Sequence, residues 1–262
     1  GDVGQGITDG TKFESFDVPA INSKGEIAFI AKFSEDPEGH VSKAVFGPIG
    51  DGGPPSLICR TGQTAFGVTD GALFDNFSVL TMNDKSDLTF KSTLAGSNVT
   101  DDNDMAIFGP TEGPGSALGI IFREGDAAIG VTDDPVFGRL IRLPQINDGG
   151  DIAFHCVLKT GSGDVINTSS DDAIFGPTEG AGSPVGLIAR DGDVAPGATD
   201  GAVFNLEYYF GPVINNRGST AFFTDLRTGD GGRRVNQSKN DKAIFVYADQ
   251  KLRMVVRTGE RF

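Results

Sequence analysis

The sequence predicts an all-β fold, a four-bladed β-propeller whose blades are four-stranded antiparallel sheets, each made by one repeat of about 60 to 70 residues. Three observations predict it. One short pattern occurs four times, as Asn22-Ser-Lys-Gly25-Glu-Ile-Ala28-Phe29, Asn83-Asp-Lys-Ser86-Asp-Leu-Thr89-Phe90, Asn147-Asp-Gly-Gly150-Asp-Ile-Ala153-Phe154 and Asn215-Asn-Arg-Gly218-Ser-Thr-Ala221-Phe222. The Asn-to-Asn spacings are 61, 64 and 68 residues and the flanking sequence repeats with them, so one supersecondary unit is copied four times. Every apolar segment is short, rich in Phe, Ile, Val and Leu, and ends at Gly, Pro, Asn or Asp, which is a strand pattern.

The first copy shows each element in order. Phe13 to Ile21 is short and apolar and reads as strand one. Asn22 to Gly25 is a hairpin turn, because Gly25 is free to take a positive φ and the Asn side chain can bond the backbone that follows it. From Ile27 to Phe33, Ile27, Phe29, Ala31 and Phe33 alternate with Ala28, Ile30 and Lys32, a strand two packed on both faces. A variable polar loop leads to strand three, Lys43-Ala-Val-Phe46, stopped by Gly47-Pro48; it recurs before Gly109-Pro110 and Gly176-Pro177. Strand four, Ser56 to Arg60, ends in Arg in every copy, at Arg60, Arg123, Arg190 and Arg257. A Gly-rich loop, Gly62 to Gly71, leads to the next copy.

The copies run approximately over 1–61, 62–124, 125–191 and 192–262, one domain of four blades. Gly1 aligns with Gly259, so the count suits a ring in which the last blade meets the first; an excerpt of a longer ring or an open β-solenoid are the alternatives. The chain opens in mid-pattern, without Met, which reads as a processed or excised stretch.

The motif resembles that of bacterial tandem-repeat proteins characterised by N-x-x-G-x-x-A-F, over essentially the whole chain. Two further elements share the resemblance, Arg123-Glu-Gly-Asp126 with Arg190-Asp-Gly-Asp193, and the Phe-x-x-Phe starts Phe13/Phe16 and Phe74/Phe77. The second copy departs from the pattern at Ser86 and Thr89, and the third has Leu140 for the second Phe. The resemblance implies a secreted or surface-anchored bacterial protein and carries over no catalytic residue.

The formal charge of −14 would repel nucleic-acid phosphates and anionic lipids, so nucleic acid and membrane are not expected partners. Cys59 and Cys156 fall on different strands of non-adjacent copies, which points to two buried free thiols. His40 and His155 are the only histidines, too few for a His-rich metal site, and no Gly-x-Ser-x-Gly elbow accompanies them.

Chemistry is sought on the loops after strand four and between strands two and three, which emerge on one face of a propeller. The first set supplies Asp9, Asp70, Asp133 and Asp200, candidate calcium ligands, since carboxylates on Gly-rich loops are the oxygen donors Ca²⁺ takes. Thr-Asp-Gly is equally an ordinary turn in which Asp caps backbone N–H groups. The recurrent Arg is expected to bond bidentately to an Asp or to loop carbonyls of its neighbour and so tie the ring together, an Asp in the loop that follows it being the natural partner. Tyr208, Tyr209 and Phe210 break the repeat and mark either a pocket or a seam filler. The long loop from Arg227 to Asp241, with Arg233, Arg234 and Lys239, is the expected partner contact. The functional expectation is a non-enzymatic scaffold or binding module for a protein or glycan; the alternative is a glycan-binding lectin or glycan-active enzyme that uses the acidic face, with or without Ca²⁺.

Overall fold

The fold is taken from a computed structural model, which describes residues 7, 11–34, 42–48, 53–131, 134–140, 143–159, 172–206, 211–229, 235–236 and 239–259. Among these residues there is no helix, and the strands form four antiparallel sheets, one for each copy of the motif. The first sheet holds β1 (Phe13–Phe16), β2 (Ala20–Ile21), β3 (Ile27–Phe33), β4 (Lys43–Gly47) and β5 (Ser56–Arg60). The second holds β6 (Leu73–Met82), β7 (Leu88–Ala95), β8 (Met105–Pro110) and β9 (Leu118–Arg123). The third holds β10 (Phe137–Leu140), β11 (Gln145–Ile146), β12 (Ile152–Leu158), β13 (Asp172–Pro177) and β14 (Val185–Arg190). The fourth holds β15 (Ala202–Asn205), β16 (Val213–Ile214), β17 (Thr220–Thr228), β18 (Lys242–Ala248) and β19 (Lys251–Arg257). The chain divides into two compact units, 1–124 and 125–262, each of two sheets, and the division falls on the boundary between the second and third copies.

Strand one differs from the sequence expectation in three copies, where it is broken in two. Pro19, Pro144 and Pro212 stand three residues before the motif Asn, and a proline has no N–H to give the ladder. In the second copy Leu80 takes that place and β6 runs unbroken, with a register shift beside Val79, whose φ is +48°.

Every sheet is built on the same three phenylalanines. The motif Phe lies directly opposite the strand-three Phe, as Phe29 with Phe46, Phe90 with Phe108, Phe154 with Phe175 and Phe222 with Phe245. Each pair stacks, at 12° to 20° between planes. The first strand adds Phe13, Phe74, Phe137 or Phe204 edge-on to the strand-three ring, at 4.9 to 5.6 Å. Offset stacks and T-shaped contacts are the arrangements the ring quadrupole favours.

Strand three ends on Gly-Pro as expected, and in the second and third sheets Gly109-Pro110 and Gly176-Pro177 are themselves the last residues of β8 and β13. Pro110 and Pro177 pair only with strand four, β7 and β12 having ended their pairing at Phe108 and Phe175. The glycine serves the neighbouring sheet. A Cβ on Gly47 would come within 2.7 Å of Leu88 Cδ1, and one on Gly176 within 2.8 Å of Thr220 Oγ1. One bulge recurs in all four sheets just before the strand-three Phe, leaving Ile58, Ile121, Ile188 and Val255 as the extra residue of strand four. A bulge re-aims a side chain. Ile58 packs against the core shared by the first two sheets, and Ile188 belongs to the core shared by the last two.

Candidate functional site

The loops singled out for chemistry are held by their own charges. Gly71 at φ +75° and Gly201 at φ +72° turn the chain, and the preceding aspartates cap it: Ala72 N–H donates to Asp70 Oδ1 at 3.1 Å and Ala202 N–H to Asp200 Oδ1 at 3.3 Å. Arg123 Nη1 then donates to Asp70 Oδ2 at 2.8 Å, and its Nε to the Asn103 carbonyl at 2.8 Å. Arg257 repeats the arrangement, bidentate on Asp200 at 2.8 Å for both bonds, with Nε on the Asn240 carbonyl at 2.7 Å. One arginine at the end of strand four thus joins the loop entering its own sheet to the loop between strands two and three. The partner is not in the loop that follows the Arg, as expected from sequence, but in the loop that precedes its sheet. The fork of a guanidinium suits a carboxylate on one side and a carbonyl on the other.

The two carboxyls are shifted accordingly. The Arg123 bond holds Asp70 below its ordinary value, and the Arg257 bond does the same for Asp200, each helped by its capped backbone N–H. Asp9 and Asp133 lie outside the described residues, so the structure places two of the four candidate calcium ligands, one in each unit, both already paired with a guanidinium. Among the described residues no group of three or more His, Cys, Asp or Glu side chains is placed to hold a metal ion. In the first sheet Arg60 donates to Ser42 Oγ at 3.0 Å and lies over the Phe33 ring, 5.0 Å from its centroid.

The motif turns carry a second polar system. Asn22 Oδ1 accepts from Lys24 and Glu26 N–H, and Asn83, Asn147 and Asn215 accept in the same way from the residues two and four further on. The amide NH₂ donates to the acid at the fourth place, Glu26, Asp87 or Asp151. Sequence reasoning found the local turn but missed what the amide does across sheets. Asn22 Nδ2 reaches the Asn83 carbonyl at 3.4 Å in unit 1, and Asn147 Nδ2 the Asn215 carbonyl at 2.8 Å in unit 2. Side chains of the next residue join in, Ser23 N–H donating to Asp84 Oδ1 at 2.7 Å and Asp148 N–H to Asn216 Oδ1 at 3.0 Å. The Ser23 bond lowers the Asp84 pKa. The acids complete it: Gly115 N–H donates to Asp87 Oδ1 at 2.6 Å and Gly182 N–H to Asp151 Oδ1 at 2.7 Å.

Two clefts open among the described residues, the first of them beside a motif turn. One of about 300 Å³ in unit 1 is lined by Pro48, Ile58, Lys85, Ser86, Asp87 and Leu118 among others; one of about 360 Å³ in unit 2 is lined by Ile129, Thr178, Glu179, Pro184 and Leu187 among others. Among the described residues each has one carboxylate in its lining, Asp87 in the first and Glu179 in the second.

His155 is buried and meets Asp172, Nε2 to Oδ1 at 2.6 Å. They sit diagonally on one face of the β12–β13 pair. Cys156 is the next residue and points to the opposite face, so it cannot form a Cys–His nucleophile with His155. Burial pushes the thiol up, and the Asp172 charge adds to it; burial does the same to Cys59. Both cysteines are free and inert. His40, Tyr208, Tyr209, Phe210, Arg233 and Arg234 lie outside the described residues.

A family model described as a family of unknown function (DUF7453) matches residues 1–176 and again residues 109–262. No curated protein matches the chain.

Proposed function

The chain belongs to the DUF7453 family, and we propose that it is a non-enzymatic binding scaffold, an array of four β-propeller-type blades that presents its variable loops to a protein or a glycan. One observation carries the reading: the polar side chains that recur from copy to copy are engaged with the backbone and with one another. The motif asparagines close the turns, and Arg123 and Arg257 clasp Asp70 and Asp200. What varies between copies is the loop from strand two to strand three, the place where a rigid scaffold carries recognition. The face-to-face stacking of antiparallel sheets within each unit supports the blade reading. The resemblance to N-x-x-G-x-x-A-F proteins and the acidic surface support a bacterial extracellular or cell-surface location.

A calcium-dependent lectin or glycan-active enzyme is the weaker reading, because a cation at Asp70 or Asp200 has to displace an arginine that already neutralises the carboxylate. The test is a glycan and polysaccharide panel assayed twice, for binding and for release of reducing ends. Binding without release supports a scaffold; turnover of any bound glycan overturns it.

A further inference from the structure

In unit 1 the first and second sheets share one apolar seam, where Ile30, Val45 and Cys59 of the first meet Phe77, Leu80 and Leu88 of the second. In unit 2 the third and fourth sheets share another, built around Ile174, Ile188, Phe204 and Phe222. Beside each seam two motif turns meet, and the backbone N–H after the motif Asn of one turn donates to the side chain after the motif Asn of the other. The acceptor differs between the units. In unit 2 it is an amide: Asp148 N–H donates to Asn216 Oδ1 at 3.0 Å, and Asn216 Nδ2 donates back to Asp148 Oδ2 at 2.6 Å. In unit 1 it is a carboxylate: Asp84 takes the Ser23 N–H at 2.7 Å and the Ser23 hydroxyl as well.

An amide oxygen accepts at any ordinary pH, whereas a carboxylate that gains a proton loses its charge and with it about half the strength of such a bond. Protonating Asp148 weakens only the return bond and leaves its N–H with an acceptor. The second copy adds further crossings where it departs from the motif. Ser86, in the place that Gly218 holds in unit 2, donates to the Glu26 carboxylate of the first sheet, and Lys24 Nζ donates to Ser86 Oγ at 3.3 Å. Glu26 also takes Asn22 Nδ2 at 2.6 Å, and Asp87 is occupied by Asn83 Nδ2 and by the Gly115 N–H. Within unit 1 the charges that act on Asp84 are Lys24 on the facing turn and Lys85 beside it, and both favour its ionised form.

We propose that the Asp84–Ser23 contact is an acid-released latch on the seam of unit 1, for which the seam of unit 2 has an amide at the matching place. The two Ser23 bonds hold the Asp84 carboxyl below its ordinary value, with the ammonium groups of Lys24 and Lys85 adding to them. Its folded value is below the unfolded one, so the latch is fully made above the unfolded value of about 4 and is released as pH falls through the folded value. Protonation then moves the balance between closed and open seam by the ratio of the acid constants of Asp84 in the two forms. In acid the first pair of sheets therefore opens more readily, while the backbone crossing of the second pair keeps its acceptor.

The chain carries its own probe of this opening. Cys59 is fully buried in the seam of unit 1, and Cys156, equally buried in the third sheet, serves as the internal reference. Both thiols of the full chain are labelled with dithiodipyridine, which reacts in acid, from about pH 6 to about pH 3, a range that spans the titration of a carboxyl, and each site is read by peptide mass spectrometry. The ratio of Cys59 to Cys156 labelling should rise several-fold on acidification of the wild type. It should rise clearly less in Asp84→Asn, which gives unit 1 the acceptor that unit 2 has. A ratio constant with pH overturns the proposal, and so does an equal rise in Asp84→Asn. A second measurement needs no variant: the Ser23 amide proton resonance should titrate in the wild type with a midpoint below the ordinary Asp range, and a resonance that does not move with pH overturns the proposal as well.

Discussion

Gly25, Gly150 and Gly218 turn the motif at φ between +74° and +79°, a region that costs an L-residue roughly 1–2 kcal/mol. Ser86 takes the same turn at φ +73° in the second copy, where its hydroxyl bonds Glu26 across to the first sheet. That bond compensates locally for a backbone a serine does not favour. Gly25→Ala isolates the backbone cost, since nothing lies within 4 Å of the added Cβ, and should destabilise by about 1 kcal/mol in urea titration. Gly218→Ala should cost clearly more, because its Cβ would fall 2.6 Å from backbone atoms of Gly180 and Ala181. Val79→Gly should act in the opposite direction, raising stability by about 1 kcal/mol: a β-branched residue at φ +48° is strained, and its side chain is partly exposed. Equal effects from the two alanines would contradict the steric part of this account. The glycines were legible as turn residues from sequence. The strained Val79 was not, because it arises only where Leu80 replaces proline and lets the strand run on.

At the scale of the element, the arginine ending strand four holds two loops to one sheet. Asp70 and Asp200 have folded-state pKa values below their unfolded ones, chiefly through the Arg123 and Arg257 bonds. Their contribution to stability is therefore complete above the unfolded value of about 4 and is lost as pH falls through the lower folded value. Thermal midpoints of the wild type should drop on acidification below about pH 4. Asp200→Asn should lower the neutral-pH midpoint, by a free energy of about 2 kcal/mol, and make the acid fall shallower. An unchanged acid profile in that variant would mean that the clasp contributes nothing. The regular Arg was visible in the sequence, and so was its acidic partner type. Which Asp it takes was not, because the choice depends on the twist that brings the entering loop, rather than the departing one, beside the strand end. The repeated bulge was hidden for a similar reason: Ile58, Ile188 and Val255 look like ordinary strand residues until the pairing of Phe46, Phe175 and Phe245 shows one residue too many.

At the scale of the molecule, one eight-residue motif does the same work four times, and how much each copy contributes depends on whether a neighbouring sheet covers it. Its Asn was legible as a turn former because that bond is local, within four residues. Its bond to the next copy was not, since the partners are 61 or 68 residues apart in sequence and meet only when two sheets stack. The acidic loops were legible as a charged surface, but their use as clasps needed the position of Arg123 and Arg257. The measurement that tests the central claim most directly is a set of unfolding curves for Asn22→Ala, Asn83→Ala, Asn147→Ala and Asn215→Ala under dilute, identical conditions. The three buried asparagines each satisfy two backbone N–H groups, so removing one should cost about 2 kcal/mol or more; exposed Asn215, whose partners water can reach, should cost about 1 kcal/mol or less. Four small and equal losses would contradict the account, leaving the motif as a surface signature with no part in holding the sheets together.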